Sequence, residues 1–99
     1  MELREIQRIE DEDAKHYFPD VEQGFLYFGN ALAGEVGEIC NMIKKWARGS
    51  ITTNEMNEVI REEAPDVLIY LVMLCAHAER DLQDDYDVKK AYNERRYRG

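Results

Sequence analysis

Apolar side chains at Phe25, Phe28, Leu32, Val36, Ile39, Ile43 and Trp46 follow one another at steps of three and four. That spacing collects all seven on one stripe of an α-helix, whereas a strand, with its period of two, would scatter them over both faces. The punctuation at both ends agrees. Asp20 with Gln23 three residues on has the form of a capping box, and Gly49 follows Lys44, Lys45 and Arg48, whose charges suit the negative end of a helix dipole. A stripe of this length must be covered by something.

The other segments read as helices too. Leu3, Ile6 and Ile9 mark a short amphipathic segment that runs out in the acidic stretch Glu10 to Asp13, before Pro19. Thr52 with Glu55 opens a third helix carrying Met56, Val59 and Ile60. Pro65, which has no amide hydrogen, predicts a kink or a restart within it. Residues 67–78 are apolar nearly all round, interrupted only by Tyr70 and His77, as in a helix enclosed on most sides. Asp84 or Asp85 is the expected cap of a last, basic helix on which Lys89, Asn93 and Arg96 share a face.

The expected fold is therefore all-α, a helical bundle in a single domain over residues 1–99, with 1–19 a peripheral N-terminal segment and 20–99 the helical core. A chain of 99 residues buries only roughly 60–70% of its unfolded surface. Other subunits are expected to complete the core, in a homotetramer or a dimer.

Charge narrows the function. Thirteen Lys and Arg against 21 Asp and Glu leave a net charge of -8, which opposes binding of a nucleic acid polymer at long range. The first residues hold no apolar stretch of signal-peptide length, and the longest uncharged apolar run, Val67 to Ala76, is too short for a bilayer, so a cytoplasmic protein with no membrane partner is expected. Cys40 and Cys75 are isolated and read as packed thiols. His16 and His77 complete no Glu-x-x-His pair of the di-iron bundles, and His77 reads as structural. No Gly-Lys-Ser/Thr follows the glycines at 24, 29, 34 and 37, so they form no phosphate loop.

The chemistry lies in two acid pairs. Glu35 and Glu38 project from one face of the second helix beside its apolar stripe, and Glu63 and Asp66 repeat the spacing just before the most apolar part of the third. One such pair in a chain with 21 acids is usually a solvated face; the second lies where solvated acids are least expected. Antiparallel packing of the two helices would cluster four carboxylates. Such a cluster either holds protons or calls for a cation, and oxygen-only ligation suits Mg²⁺, with Mn²⁺ as substitute, over zinc. The implied reaction class is metal-assisted hydrolysis of a phosphoanhydride. The competing readings are a helical interaction module without enzymatic activity, and a nucleotide sensor.

The pattern E-x-x-E at Glu35 and Glu38, a spacer of twenty-four residues, E-x-x-D at Glu63 and Asp66, and then K-x-x-x-N-x-x-R at Lys89, Asn93 and Arg96 resembles the MazG-like, all-α nucleoside triphosphate pyrophosphohydrolases, which include the dCTP pyrophosphatases. The similarity spans Phe25 to Tyr97. It implies hydrolysis of a (deoxy)nucleoside triphosphate between its α- and β-phosphates, giving monophosphate and pyrophosphate, with Mg²⁺ held by Glu35, Glu38, Glu63 and Asp66. Glu38 or Glu35 would also orient or deprotonate the attacking water. By the same resemblance Lys89, Asn93 and Arg96 would hold phosphates, and Tyr70 would touch sugar or base. Lys45 and Trp46 are weaker candidates for phosphate charge and base stacking, Trp46 lying on the apolar stripe. The resemblance favours a tetramer. Pro65 departs from the pattern, and a kink there would displace Glu63 or make Glu62 the ligand; Glu63 is the assignment.

Overall fold

A computed structural model of the chain describes residues 2–17 and 20–98. Four helices follow one another, α1 (Leu3–Tyr17), α2 (Val21–Ala47), α3 (Thr53–His77) and α4 (Leu82–Arg98), and the described residues contain no strand. The fold is all-α. Pro19, expected to end the first segment, lies outside the described residues.

The caps fall largely where the sequence puts them. The Asp20 side chain accepts the Gln23 amide at 2.9 Å, and Thr52 and Glu55 form a complete reciprocal capping box. The end of α2 is a Schellman turn: Ser50 N–H donates to the Lys45 carbonyl, Gly49 N–H to that of Trp46, and Gly49 takes the left-handed φ of 80° that the turn demands. Three elements differ from expectation. α1 continues through the acidic stretch to Tyr17, because Glu12 and Asp13 stay in water, Ala14 is buried, and Arg8–Glu12 and Asp11–Lys15 pair one turn apart. α3 runs unbroken through Pro65, an exposed position at which water can reach the carbonyl of Arg61 that loses its amide partner. The cap of α4 is Asp81, whose carboxylate accepts the Asp84 amide at 3.1 Å; Asp84 and Asp85 lie in the first turn instead.

α3 ends in the same Schellman geometry, with Arg80 N–H donating to the Cys75 carbonyl and Glu79 N–H to that of Ala76. Here the left-handed position is filled by Glu79, with φ of 58°. A side chain bearing a Cβ costs about 1–2 kcal/mol in that conformation, so Glu79→Gly is expected to stabilise the protein by about 0.5–1 kcal/mol once the added freedom of the unfolded glycine is subtracted. Urea unfolding measures this as a higher midpoint at unchanged slope; a lower midpoint would mean that the turn is not strained.

α2 packs chiefly on α3, and α1 lies across α3 and the start of α4. The centre is thin: Ala14, Phe28 and Val72 are the buried apolar side chains among the described residues. Phe25, Leu26, Val36, Ile43, Trp46 and Leu68 each stay more than a third exposed. The radius of gyration, 16.2 Å, exceeds the value of about 13 Å for a compact chain of this length. None of the helices is long and apolar enough to cross a membrane, among the described residues.

The N-terminal end of α4 is tied to α1. The Gln7 side-chain amide donates to the Arg80 carbonyl at 2.7 Å and accepts from the Leu82 amide at 2.8 Å, while Arg4 reaches Asp81 at 3.2 Å and Asp84 at 2.8 Å. One glutamine thus satisfies a carbonyl and an amide that the α3–α4 turn leaves without backbone partners.

Candidate metal centre

α2 and α3 run antiparallel from the turn at 48–52, so residues equally far from that turn come level. Glu35 lies twelve residues back from Ala47, and Asp66 thirteen forward from Thr53; Glu38 and Glu63 are nine back and ten forward. The spacing of three inside each pair then turns all four acids toward the seam. One carboxylate oxygen each from Glu35, Glu63 and Asp66 lies within 4.8 Å of the other two. Glu38 is exposed and outside this group of three, though near enough to Glu63 to influence its protonation. Glu62, the alternative to Glu63, is exposed and lies 3.6 Å from Arg61.

The electrostatics are those of crowded acids. The Glu63 carboxyl is held above its ordinary value, first by the hydrogen bond it shares with Glu35, then by desolvation, then by the charges of Glu35 and Asp66; Glu38 opposes them. The second carboxylate oxygen of Glu35, Oε2, is buried and has no hydrogen-bond partner. A buried acceptor left unsatisfied costs on the order of 1–3 kcal/mol, and an oxygen so placed among acids is what a hard cation would take up. The donor set fits Mg²⁺ or Mn²⁺: oxygens alone, from half-buried to exposed, with room for waters.

Tyr70 follows Asp66 by one turn and borders the cluster. Its hydroxyl is raised first by a hydrogen bond with Tyr27, then by desolvation, and further by the negative charges of Glu35 and Asp66. The Tyr27 and Tyr70 rings meet edge-on, 6.3 Å between centroids and 71° between planes. Tyr27 is absent from the sequence reading, although the signal was there: positions 27, 31, 35 and 38 step by four, four and three, so Tyr27 shares the face of Glu35 and Glu38.

The remaining candidates lie elsewhere. Trp46, roughly 12 Å along α2 from Glu38 by the helical rise, donates its indole N–H to Thr53 Oγ1 at 3.0 Å and fastens the α2–α3 turn. Lys45 is half-buried beside it in sequence. Lys89, Asn93 and Arg96 are on α4, and among the described residues no hydrogen bond or ion pair joins them to the four acids. His77 is held between aromatic rings, Phe25 at 4.7 Å and Phe28 at 5.6 Å.

A family model for the MazG nucleotide pyrophosphohydrolase domain matches residues 23–95, the stretch that holds both acid pairs together with Lys89 and Asn93; Arg96 lies one residue beyond it. No curated protein and no solved structure matches the chain.

Proposed function

The chain belongs to the MazG nucleotide pyrophosphohydrolase domain family, and on that premise we propose that it hydrolyses a (deoxy)nucleoside triphosphate between the α- and β-phosphates, releasing a nucleoside monophosphate and pyrophosphate. The observation that carries this reading is the convergence of Glu35, Glu63 and Asp66 within 4.8 Å, with Glu35 Oε2 buried and unpartnered. Glu35, Glu38, Glu63 and Asp66 would hold Mg²⁺, which when bound supplies charge neutralisation and polarisation of phosphoryl oxygens.

The roles of the side chains follow from their chemistry. Glu38 is exposed at the edge of the cluster and Glu35 half-buried within it, so Glu38 has the access to water needed to orient the nucleophile and accept its proton as oxygen adds to phosphorus and the bridging P–O bond breaks. Glu63, already disposed to hold a proton in the absence of cation, is the group from which a proton leaves when a cation arrives. Tyr70, steadied by Tyr27, offers ring and hydroxyl to the nucleoside. Lys89, Asn93 and Arg96 supply donors for the phosphates.

The exposed apolar stripe of α2, with Leu68 of α3 and the excess radius of gyration, supports a homo-oligomer in which a second copy covers that surface. The decisive experiment is product analysis with every common (d)NTP in Mg²⁺ or Mn²⁺. Monophosphate and pyrophosphate in equal amounts from at least one nucleotide, dependent on the cation, is the expected outcome. A well-folded oligomer that neither binds divalent metal nor turns over any nucleotide would instead be an interaction module.

A further inference from the structure

Tyr27 and Tyr70 come from different helices and meet just beyond the acids. Tyr70 follows Asp66 by four residues, so the two share a face of α3 and stand about 6 Å apart along its axis. Tyr27 precedes Glu35 by eight residues, on the face of α2 that carries Glu35 and Glu38. The tyrosine rings lie edge-on, 6.3 Å between centroids, and their hydroxyls share a hydrogen bond. Tyr27 also meets Phe28 edge-on, at 5.7 Å and 78°, and the Phe28 side chain is wholly buried. A line of contact thus runs from the fixed core through Tyr27 to Tyr70. Past this pair the α2–α3 seam is shut, for Gly24 lies so close to the His77 imidazole that a Cβ would overlap it.

A half-buried phenol such as Tyr70 can turn about two side-chain bonds, and each orientation sends its ring and hydroxyl to a different place. Contact with Tyr27 through both ring edge and hydroxyl selects one of them. We infer that Tyr27 is a positioning residue for the nucleoside end of the substrate: acting through Tyr70, it fixes the nucleoside on the aromatic side of the acids, towards Phe28 and His77, rather than towards the α2–α3 turn and Trp46. The inference rests on the reading of the four acids as a metal centre for a nucleoside triphosphate. An α-phosphate held there leaves its esterified sugar about one helical turn away, where Tyr70 stands. The opposite direction offers no equivalent, since Trp46 lies roughly 12 Å from Glu38 and its indole N–H is engaged by Thr53. Phenols beside a negatively charged cluster suit the uncharged part of a nucleotide, sugar or base, and not its phosphates. A Tyr70 already held in place spares the cost of ordering it on binding, and only the nucleoside benefits.

The test is calorimetric titration of the full chain in Mg²⁺ with two kinds of probe: the α,β-imido analogue of each common (d)NTP, which resists cleavage, and inorganic tripolyphosphate, which has the phosphates without the nucleoside. Tyr27→Phe keeps the ring and removes the hydroxyl. It is expected to weaken the best-bound analogue about tenfold and to leave tripolyphosphate within about twofold of wild type. Tyr70→Phe cuts the same hydrogen bond from the other side and should do likewise, and the double variant should bind no more weakly than Tyr70→Phe alone, because Tyr27 acts through Tyr70. Tyr86→Phe, which removes a phenol hydroxyl from an exposed position on α4, should bind both probes as wild type does. Circular dichroism confirms that the helices persist in each variant. Tyr27→Phe that binds the analogue like wild type, loses tripolyphosphate equally, or adds its loss to that of Tyr70→Phe would overturn the inference, as would wild type that binds no analogue. Turnover is a separate readout: a protein that binds the analogue as expected and hydrolyses no natural nucleotide sinks only the hydrolytic reading, and an active enzyme whose Tyr27→Phe variant matches it in binding sinks this inference alone.

Discussion

Glu35→Gln is expected to abolish nucleotide hydrolysis, by about 10²-fold or more, while raising the thermal midpoint of the metal-free protein. The two effects have one origin. Glu35 is the acid in contact with the rest of the cluster: it shares a hydrogen bond with Glu63, its charge raises Glu63 and Tyr70, and its Oε2 is buried with nothing to bind. An amide of the same shape removes a charge from a crowded site and adds donors that neighbouring carboxylates can accept, so folding improves where cation binding is lost.

The folded protein holds the Glu63 proton more tightly than the unfolded chain, where the carboxyl has its ordinary value of 4.5. The penalty from the acid cluster is therefore absent below that pH, grows as pH rises through the raised value, and is fully present above it. Metal-free wild type should lose stability over that window, Glu35→Gln should lose less, and Mg²⁺ should raise the midpoint of wild type alone. Scanning calorimetry with and without Mg²⁺, alongside the pyrophosphate assay, reads all three. Retained turnover in the variant would remove the acid cluster from the chemistry.

Gly24→Ala should be the most damaging of the conservative changes. Gly24 is buried on the first turn of α2, and a Cβ built there overlaps the imidazole of His77 across the α2–α3 seam. His77 has little room to withdraw, with Phe25 and Phe28 set edge-on against it at 76° and 77°. Overpacking of this kind costs about 1–3 kcal/mol, and for a domain of this size each kcal/mol lowers the midpoint by roughly 4–8 °C. Gly24→Ala combined with His77→Ala should recover more than the sum of the single changes, because the two share one contact. Additive losses in that cycle would show that the methyl group is accommodated elsewhere.

How far such features could be read from sequence depended on how local their causes are. The caps at Asp20, Thr52 and Gly49 were legible because each is settled within five residues. Pro65 was expected to kink or restart the helix because its local cost is real, yet α3 does not restart there: an exposed position and the apolar turns that follow carry the helix across it. The aspartates at 81, 84 and 85 are chemically equal as caps; Asp81 takes the role where it also binds Arg4, seventy-seven residues away. Glu79 gave no warning, since glycine is the residue that normally marks a left-handed turn. The meeting of Glu35, Glu63 and Asp66 followed from counting residues about the α2–α3 turn, but the direction of α4 depends on the geometry of the 78–81 turn, which no periodicity encodes. The separation of Lys89, Asn93 and Arg96 from the acids was invisible for that reason.

The Gln7 amide and the Arg4 guanidinium stitch the beginning of the chain to the root of its last helix. α1 is in that sense a splint, and α4 a lever whose bearing is set some seventy residues upstream. Trimming or tagging the first turn of α1 would leave Glu35, Glu38, Glu63 and Asp66 in place and still let the lever swing, so a preparation shortened there would report on the two halves of the molecule separately.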